Sequence, residues 1–189
     1  MTDSKRVPDL PPAPVLHCGI RVAPLTMDDH AALLDFEQRN ADFFAKWVGP
    51  RPDGYLTEAG LTKAITSLLD EAARGQGWFG LVHDGPRIVG RVNLPMTLPR
   101  LPKLGYRICR SRTGRGLARH AARQAVALAE TEMQIDTVLA RALPGNDASR
   151  AVLLALGFTP LTRDIADFPA EGRTCFEATP ATIARSEAP

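Results

Sequence analysis

The spacing of apolar and polar residues predicts a short strand followed by two helices at the start of the chain. The strand covers residues 19–25, and the helices begin at residues 27 and 57. Thr26 and Thr57 precede these helices, where a side-chain oxygen can accept hydrogen bonds from free backbone N–H groups. The predicted buried stripe of the first helix consists of Ala31, Leu34 and Phe36, with Leu33 at its border.

The middle of the chain changes to strand-like patterns and then to an alternation of helices and strands. Two strands at 78–83 and 87–94 are joined by an Asp84–Gly85 turn, and a third strand is predicted at 103–110. Further helices are predicted at 115–132 and 146–156, and further strands at 136–143 and 173–179. This order predicts an α/β (α+β) domain in which helices flank one mixed sheet.

The length of 189 residues suits a single domain with a substantial core. A proline-rich stretch makes residues 1–18 an extended arm, so we expect the domain to cover 19–180, followed by a tail at 181–189. No apolar run is long enough to cross a bilayer, and the first residues lack the apolar segment of a secretory signal. We therefore expect a cytoplasmic protein with no membrane partner.

Cysteine and histidine residues give no sign of a disulfide framework or a metal site. The three cysteines form no CxxC pair, and their odd number cannot pair completely within one chain. The four histidines are scattered without ligand-type spacing, so no metal is predicted.

Charge is strongly segregated along the chain. Between Gly85 and Ala129 there are ten Lys and Arg residues and no Asp or Glu, while the other 13 Lys and Arg face 21 acidic residues. Such a segment indicates either a local anionic ligand or a solvated basic face. Tyr106 is the segment's sole aromatic residue, so it lacks the stacking positions of a nucleic-acid-binding surface, and no nucleic-acid partner is expected.

The segment contains a glycine-rich turn between a predicted strand and a predicted helix. Gly114 and Gly116 allow a tight turn, and the N–H groups of the first helical turn then point at one spot. Together with the helix dipole they form an anion site suited to a pyrophosphate. Arg115, Arg119 and Arg123 repeat at intervals of four and form a basic ridge beside it.

Two common phosphate-binding folds do not fit this turn. A P-loop ends in Gly-Lys-Ser/Thr, which is absent. A dinucleotide-binding turn needs a third small residue where this sequence has Arg119.

The turn and its surroundings resemble the GNAT N-acetyltransferases, and in particular the RimJ/RimL-type branch that includes the ribosomal-protein N-terminal acetyltransferases. The similarity covers about residues 19–160. The matching pieces, in order, are Ile88-Val89-Gly90, Gly105-Tyr106-Arg107-Ile108, Gly114-Arg115-Gly116-Leu117-Ala118, Asn146 with Ser149, and Leu156-Gly157-Phe158. The resemblance implies a GNAT fold, whose mostly antiparallel sheet has one parallel pair at the cofactor cleft.

The resemblance also implies acetyl-coenzyme A as the cofactor and suggests which residues bind it. The backbone of Ile108, Cys109 and Arg110 would pair with the pantetheine arm, and Asn146 would hydrogen-bond it. The pyrophosphate would lie on the turn formed by Thr113, Gly114, Arg115, Gly116, Leu117 and Ala118. Asn146 also suits a helix N-cap, and the two roles are compatible.

Three residues are candidates for catalysis. Ser149 would lie near the thioester sulfur and donate a proton to the leaving thiolate, because Leu153 stands where many GNAT enzymes have a tyrosine acid. Glu37 on the first helix is the candidate base, and Tyr106 would line the cleft. No Ser-His-Asp or Cys-His set is evident, which favours direct attack of an amine on the thioester.

The acceptor is expected to be a primary amine, either a small molecule or a protein N-terminus. Residues 28–71 contain nine acidic and four basic residues, which indicates either a cationic acceptor or two charged amphipathic helices. The protein would be a monomer or a homodimer. The alternative function is a non-catalytic acyl-CoA-binding module with a regulatory role.

Overall fold

The computed structural model describes residues 19–48, 51–166 and 168–186. Within them, the strands are β1 (Ile20–Pro24), β2 (Gly77–Asp84), β3 (Arg87–Leu98), β4 (Leu101–Ile108), β5 (Val138–Ala142), β6 (Thr159–Pro160) and β7 (Thr174–Ala178). The helices are α1 (His30–Val48), α2 (Glu58–Ala73), α3 (Leu117–Glu132), α4 (Asp147–Ala155) and α5 (Pro180–Arg185).

The described strands form one sheet in the order β1-β2-β3-β4-β5-β7-β6. All neighbours are antiparallel except β4 and β5, which are parallel. Their pairing covers Lys103 with Leu139 and Leu104 with Ala140, yet β4 continues to Ile108 and β5 to Ala142. The two strands therefore separate after Leu104 and leave a cleft in the middle of the sheet. This topology confirms the predicted fold class.

Helices cover both faces of the sheet. On α3, the buried face is made of small residues, and Ala121, Ala122, Ala125 and Ala129 are fully buried. Small side chains let a helix backbone lie close to the strands beneath it, so α3 packs tightly over β1 to β4. On the opposite face, α1 and α2 bury larger side chains, which include Leu33, Phe36, Leu61 and Ile65.

The first helix has a different buried face from the predicted one. Leu33 is fully buried and Ala31 is exposed, because the buried face continues through Glu37 and Asn40 rather than through apolar residues alone. The helical region starts at the predicted residue, but as a 3₁₀ turn (Met27–Asp29) before α1, with Thr26 as its N-cap. There the Asp29 carboxylate accepts hydrogen bonds from the Thr26 N–H at 2.9 Å and the Thr26 hydroxyl at 2.8 Å. Thr57 caps α2 as predicted, because its hydroxyl accepts from the N–H of Gly60 at 3.1 Å.

Two segment boundaries also differ. The third predicted strand begins two residues earlier and ends at Ile108, because residues 110–112 tighten into a 3₁₀ turn. The expected tail at 181–189 instead begins within α5, whose Ile183 is fully buried. The expected arm at residues 1–18 lies outside the described residues. No helix in the described part of the chain is both long and apolar enough to span a membrane.

Candidate active site

The turn between β4 and α3 is built on two glycines with left-handed backbones. Gly114 has a φ of +73° and Gly116 a φ of +72°, a region in which other residues are strained. Gly116 is the N-cap of α3, so the helix starts directly from the turn. A side-chain contact between Arg112 and Asp84 ties this turn to the end of β2.

The turn presents a row of free backbone donors. The N–H of His120 is the first in α3 to bond within the helix, to the carbonyl of Gly116 at 3.0 Å. In the described part of the chain, the N–H groups of residues 114–119 have no acceptor. Arg115 is exposed and Arg119 partly so. Several N–H groups, a helix N-terminus and two arginines together make an anion-binding site.

The β4 edge that faces the cleft offers fewer peptide groups than predicted. The N–H of Cys109 donates a hydrogen bond to the carbonyl of Val89 on β3 at 2.8 Å. Because the peptide groups of an antiparallel strand point alternately toward and away from its neighbour, those of Tyr106 and Ile108 point away from β3 and into the cleft. The N–H of Arg110 is 3.3 Å from Oδ1 of Asn40. Of the three predicted pantetheine contacts, Ile108 therefore faces the cleft, whereas the N–H groups of Cys109 and Arg110 already have partners.

Tyr106 and Ser149, which lie 43 residues apart in the sequence, meet across the cleft. The Tyr106 hydroxyl is 3.1 Å from Oγ of Ser149 and also donates to the Ser149 carbonyl at 3.1 Å. Asn146 accepts a hydrogen bond from the N–H of Ser149 at 3.0 Å and caps α4. The cap leaves the Asn146 amide NH₂ available as a donor.

The environment of Tyr106 keeps its hydroxyl protonated. Burial raises the pKa of Tyr106 to about 12, and the hydrogen bond with Ser149 only partly opposes this effect. Leu153 is almost fully buried in the core. The hydroxyl that reaches Ser149 thus comes from β4 and not from α4.

Glu37, the predicted base, lies in a cluster of arginines. It is 1% exposed, and its carboxylate accepts hydrogen bonds from Arg91 at 2.7 Å, Arg51 at 2.8 Å and Arg107 at 3.4 Å. Tyr55 adds a hydroxyl that accepts from Arg91 at 2.9 Å. We call Glu37, Arg51, Arg91 and Arg107 the arginine cluster.

The electrostatics of the arginine cluster disfavour Glu37 as a base. Burial raises the pKa of Glu37, but the charges of Arg107, Arg91 and Arg51 outweigh it, so the net pKa is lowered. A carboxylate held in its charged form by three cations accepts a proton poorly. Burial also lowers the pKa of Arg107 to about 10.

Sequence reasoning missed the other members of the arginine cluster because they come from distant segments. One local signal was present. Arg91 follows Ile88, Val89 and Gly90 and precedes Val92 in a strand, and a charge in such an apolar run requires a buried partner.

The cleft, the donor-rich turn and the hydroxyl pair define an acyltransferase that binds a phosphate-bearing acyl donor. Residues 20–159 match the acetyltransferase (GNAT) domain family. The chain belongs to this family and is an acetyl-coenzyme A-dependent acetyltransferase.

Known proteins with similar sequences or folds agree with this assignment. The chain is 28% identical to the probable N-acetyltransferase YjcK of Bacillus subtilis over 144 residues, which are 74% of this chain and 80% of YjcK. Its fold is similar to that of the ribosomal-protein-S5-alanine acetyltransferase of Vibrio fischeri, with a TM-score of 0.75, 18% identity and coverage of 85% and 93% of the two chains. Mycobacterium smegmatis RimJ, solved with a coenzyme A disulfide, gives a TM-score of 0.72 at 23% identity and covers 85% and 81%.

Proposed function

We propose that this enzyme is an N-acetyltransferase that moves the acetyl group of acetyl-coenzyme A to a primary amine by direct attack on the thioester. The observation that carries the proposal is the cleft after Leu104, which has the free N–H groups of residues 114–119 at one end and the Tyr106–Ser149 hydroxyl pair on its wall. The proposal is supported because groups that suit an anionic acyl donor and a candidate proton donor border the same cleft.

The residues around the cleft fit coenzyme A in chemical type. The N–H groups from Gly114 to Ala118 suit the pyrophosphate, and Arg115 and Arg119 suit a further phosphate. Ile108 can pair with the amides of the pantetheine arm as an added strand would, and the free NH₂ of Asn146 can donate to it.

In the proposed mechanism the neutral amine attacks the carbonyl carbon of the thioester, and the bond from carbon to sulfur then breaks. Ser149 donates its hydroxyl proton toward the leaving thiolate and regains a proton from water, while the Tyr106 hydroxyl stays protonated and holds Ser149 in place through its hydrogen bonds. The proton of the amine passes to water. Glu37 serves to hold the three arginines and not to remove that proton.

The acceptor is a protein N-terminus or a small-molecule amine. The Vibrio fischeri relative acetylates an alanine of a ribosomal protein. That activity is one reason to propose a protein as the acceptor of this enzyme.

The proposal is tested by thermal unfolding with and without acetyl-coenzyme A. A ligand that binds the native state raises Tm, by an amount equivalent to roughly 2.7 kcal/mol at a hundred times Kd. We expect Gly116→Trp to abolish the rise, since an N-cap side chain lies over the free N–H groups. Gly75→Trp is the matched control, because Gly75 has a φ of +68° at the end of α2 with open space around it.

The outcomes separate the possible functions. A rise in wild type and Gly75→Trp, but not in Gly116→Trp, supports the cofactor site and justifies measuring thiol release with amines. Equal rises in all three proteins would place the cofactor elsewhere. A rise without acetylation of any amine would favour the non-catalytic acyl-CoA-binding module.

A further inference from the structure

The sheet face on which α1 packs has an open position in the middle of β4. Gly105 lies between Lys103 and Arg107 on this face, just after β4 and β5 separate. Gly105 is exposed, and a Cβ added to it would meet no atom within 4 Å. This open position lies on a central strand beside the proposed acetyl-transfer cleft, where a substrate can approach.

The arginine cluster lies on one side of this space. Three guanidinium groups surround one carboxylate, so the cluster has two positive charges in excess. Arg107 is nearest in sequence to Gly105, and its 3.4 Å contact with Glu37 is the longest of the three ion pairs. Arg91 is only 3% exposed, and its Nε has no acceptor within the described residues.

A second cluster lies on the other side of Gly105. Glu171 accepts from Arg173 at 2.8 Å and Arg141 at 3.0 Å, and the Arg141 guanidinium lies 4.0 Å from the centre of the Phe168 ring. Lys103 has no ion pair within the described residues, and burial together with Arg141 and Arg173 lowers its pKa. We call Lys103, Arg141, Arg173 and Glu171 the lysine cluster.

The two clusters together contain six cations and two carboxylates. A surplus of charge in a half-buried site is costly unless a ligand of opposite charge shares it. Arginine forks match carboxylates with two parallel hydrogen bonds, so a carboxylate-bearing molecule suits the site. The same positive surroundings lower the pKa of a bound amine, which favours the neutral form that attacks a thioester.

We propose that the acceptor is a primary amine that carries carboxylate groups close to its amino group, and that it binds over Gly105 between the arginine and lysine clusters. This inference rests on the proposed N-acetyltransferase function and names its acceptor class. It opposes the cationic acceptor that the acidic residues of 28–71 suggest, because Glu37 in that segment is neutralised by three arginines.

The test compares two amidated peptides with the same N-terminal amine, Ala-Glu-Glu-Gly-Gly-Tyr and Ala-Lys-Lys-Gly-Gly-Tyr, with acetylation followed by thiol release. We expect kcat/KM to be at least about tenfold higher for the acidic peptide. Free aspartate and spermidine serve as acidic and basic small-molecule probes. If aspartate is acetylated as well as the acidic peptide, the acceptor is a small molecule. If the acidic peptide is acetylated faster than aspartate, the acceptor is a protein N-terminus.

Variants of the two clusters test which residues cause the preference for the acidic peptide. Lys103→Gln and Arg107→Gln should each lower the preference for the acidic peptide about tenfold. Arg87→Gln removes the same charge from an exposed position at the start of β3 and should leave the preference unchanged. Gly105→Val, whose Cβ would lie in open space, should keep the fold and the Tm rise with acetyl-coenzyme A but lose acetylation of both peptides.

Equal kcat/KM for the two peptides, or a preference for the basic peptide or spermidine, would overturn the inference while acetyl-coenzyme A still raises Tm. Unimpaired acetylation by Gly105→Val would also overturn it. If neither peptide is acetylated, their binding to the coenzyme A-saturated protein decides, and acidic-peptide binding no tighter than basic-peptide binding counts against the inference. Loss of the Tm rise itself would instead defeat the proposed function.

Discussion

The turn at residues 114–119 and the arginine cluster both carry groups that attract anions, but the two regions are built differently. The turn uses main-chain N–H groups of consecutive residues, 114–119, the first three of which are exposed to solvent. The arginine cluster uses side chains from α1, the following loop, β3 and β4, and its central Glu37 is buried. A substitution in the turn should therefore leave the core intact, whereas a substitution in the arginine cluster changes the core itself.

This difference predicts how each region responds to substitution. Changes at the turn should weaken ligand binding without unfolding the protein. Changes in the arginine cluster should first affect the free energy of unfolding, because a buried charge that loses its partner is expensive.

The largest expected effect is that of Glu37→Gln on stability. Removing one partner of a buried ion pair costs about 3–5 kcal/mol, and here three arginines lose the negative charge that they share. Asp35→Asn on the same helix is the matched control, because the Asp35–Arg39 pair is exposed and such pairs contribute about 0.5 kcal/mol. Urea unfolding measures both variants, and similar losses would contradict the buried character of the cluster.

The fold and the turn could be predicted because their signals are local. Helix and strand periods, the caps at Thr26 and Thr57, and the spacing of Gly114 and Gly116 all lie within short windows. The cleft between β4 and β5 was predicted by the family resemblance alone, because no residue pattern in the sequence indicates it.

The arginine cluster could not be predicted, because its members are brought together only by the packing of α1 on the sheet. For the same reason Glu37 was identified as a base: a carboxylate on a helix gives no indication of the arginines that will surround it. The buried stripe of α1 was misplaced because a polar pair, Glu37 and Asn40, occupies core positions. Buried polar residues break the apolar periodicity on which stripe predictions depend.

Tyr106 lies in the cleft and Tyr55 contacts the arginine cluster, so removing one hydroxyl from each compares a catalytic effect with an effect on stability. Tyr106→Phe should lower kcat by about tenfold to a hundredfold, because Ser149 loses the hydroxyl that holds its side chain beside the leaving group. Tyr55→Phe should instead cost about 1 kcal/mol of stability, since Arg91 loses an acceptor. Steady-state kinetics and urea unfolding of both variants test the contrast, which fails if Tyr106→Phe retains full kcat.

At the turn, Arg119→Glu should raise the Kd for acetyl-coenzyme A about tenfold, which corresponds to about 1.4 kcal/mol. The stability of the protein without ligand should not fall, because Arg119 forms no hydrogen bond or ion pair within the described residues and a glutamate is favourable in the first turn of a helix. Calorimetric titration at two salt concentrations should show a smaller difference at high salt. Arg87→Glu, an exposed charge reversal outside the turn, should bind as wild type does.

The smallest expected effect is a pH dependence that belongs to Tyr106. Its folded pKa of about 12 exceeds the ordinary value of 10.0, so the unfolded chain loses the proton at a lower pH than the folded chain does. Stability linked to Tyr106 is complete below pH 10 and is lost as the pH rises toward 12. Between pH 9 and 11, wild type should therefore lose about 1 kcal/mol more than Tyr106→Phe in urea unfolding. Parallel losses in the two proteins would mean that the Tyr106 hydroxyl is hydrated rather than buried.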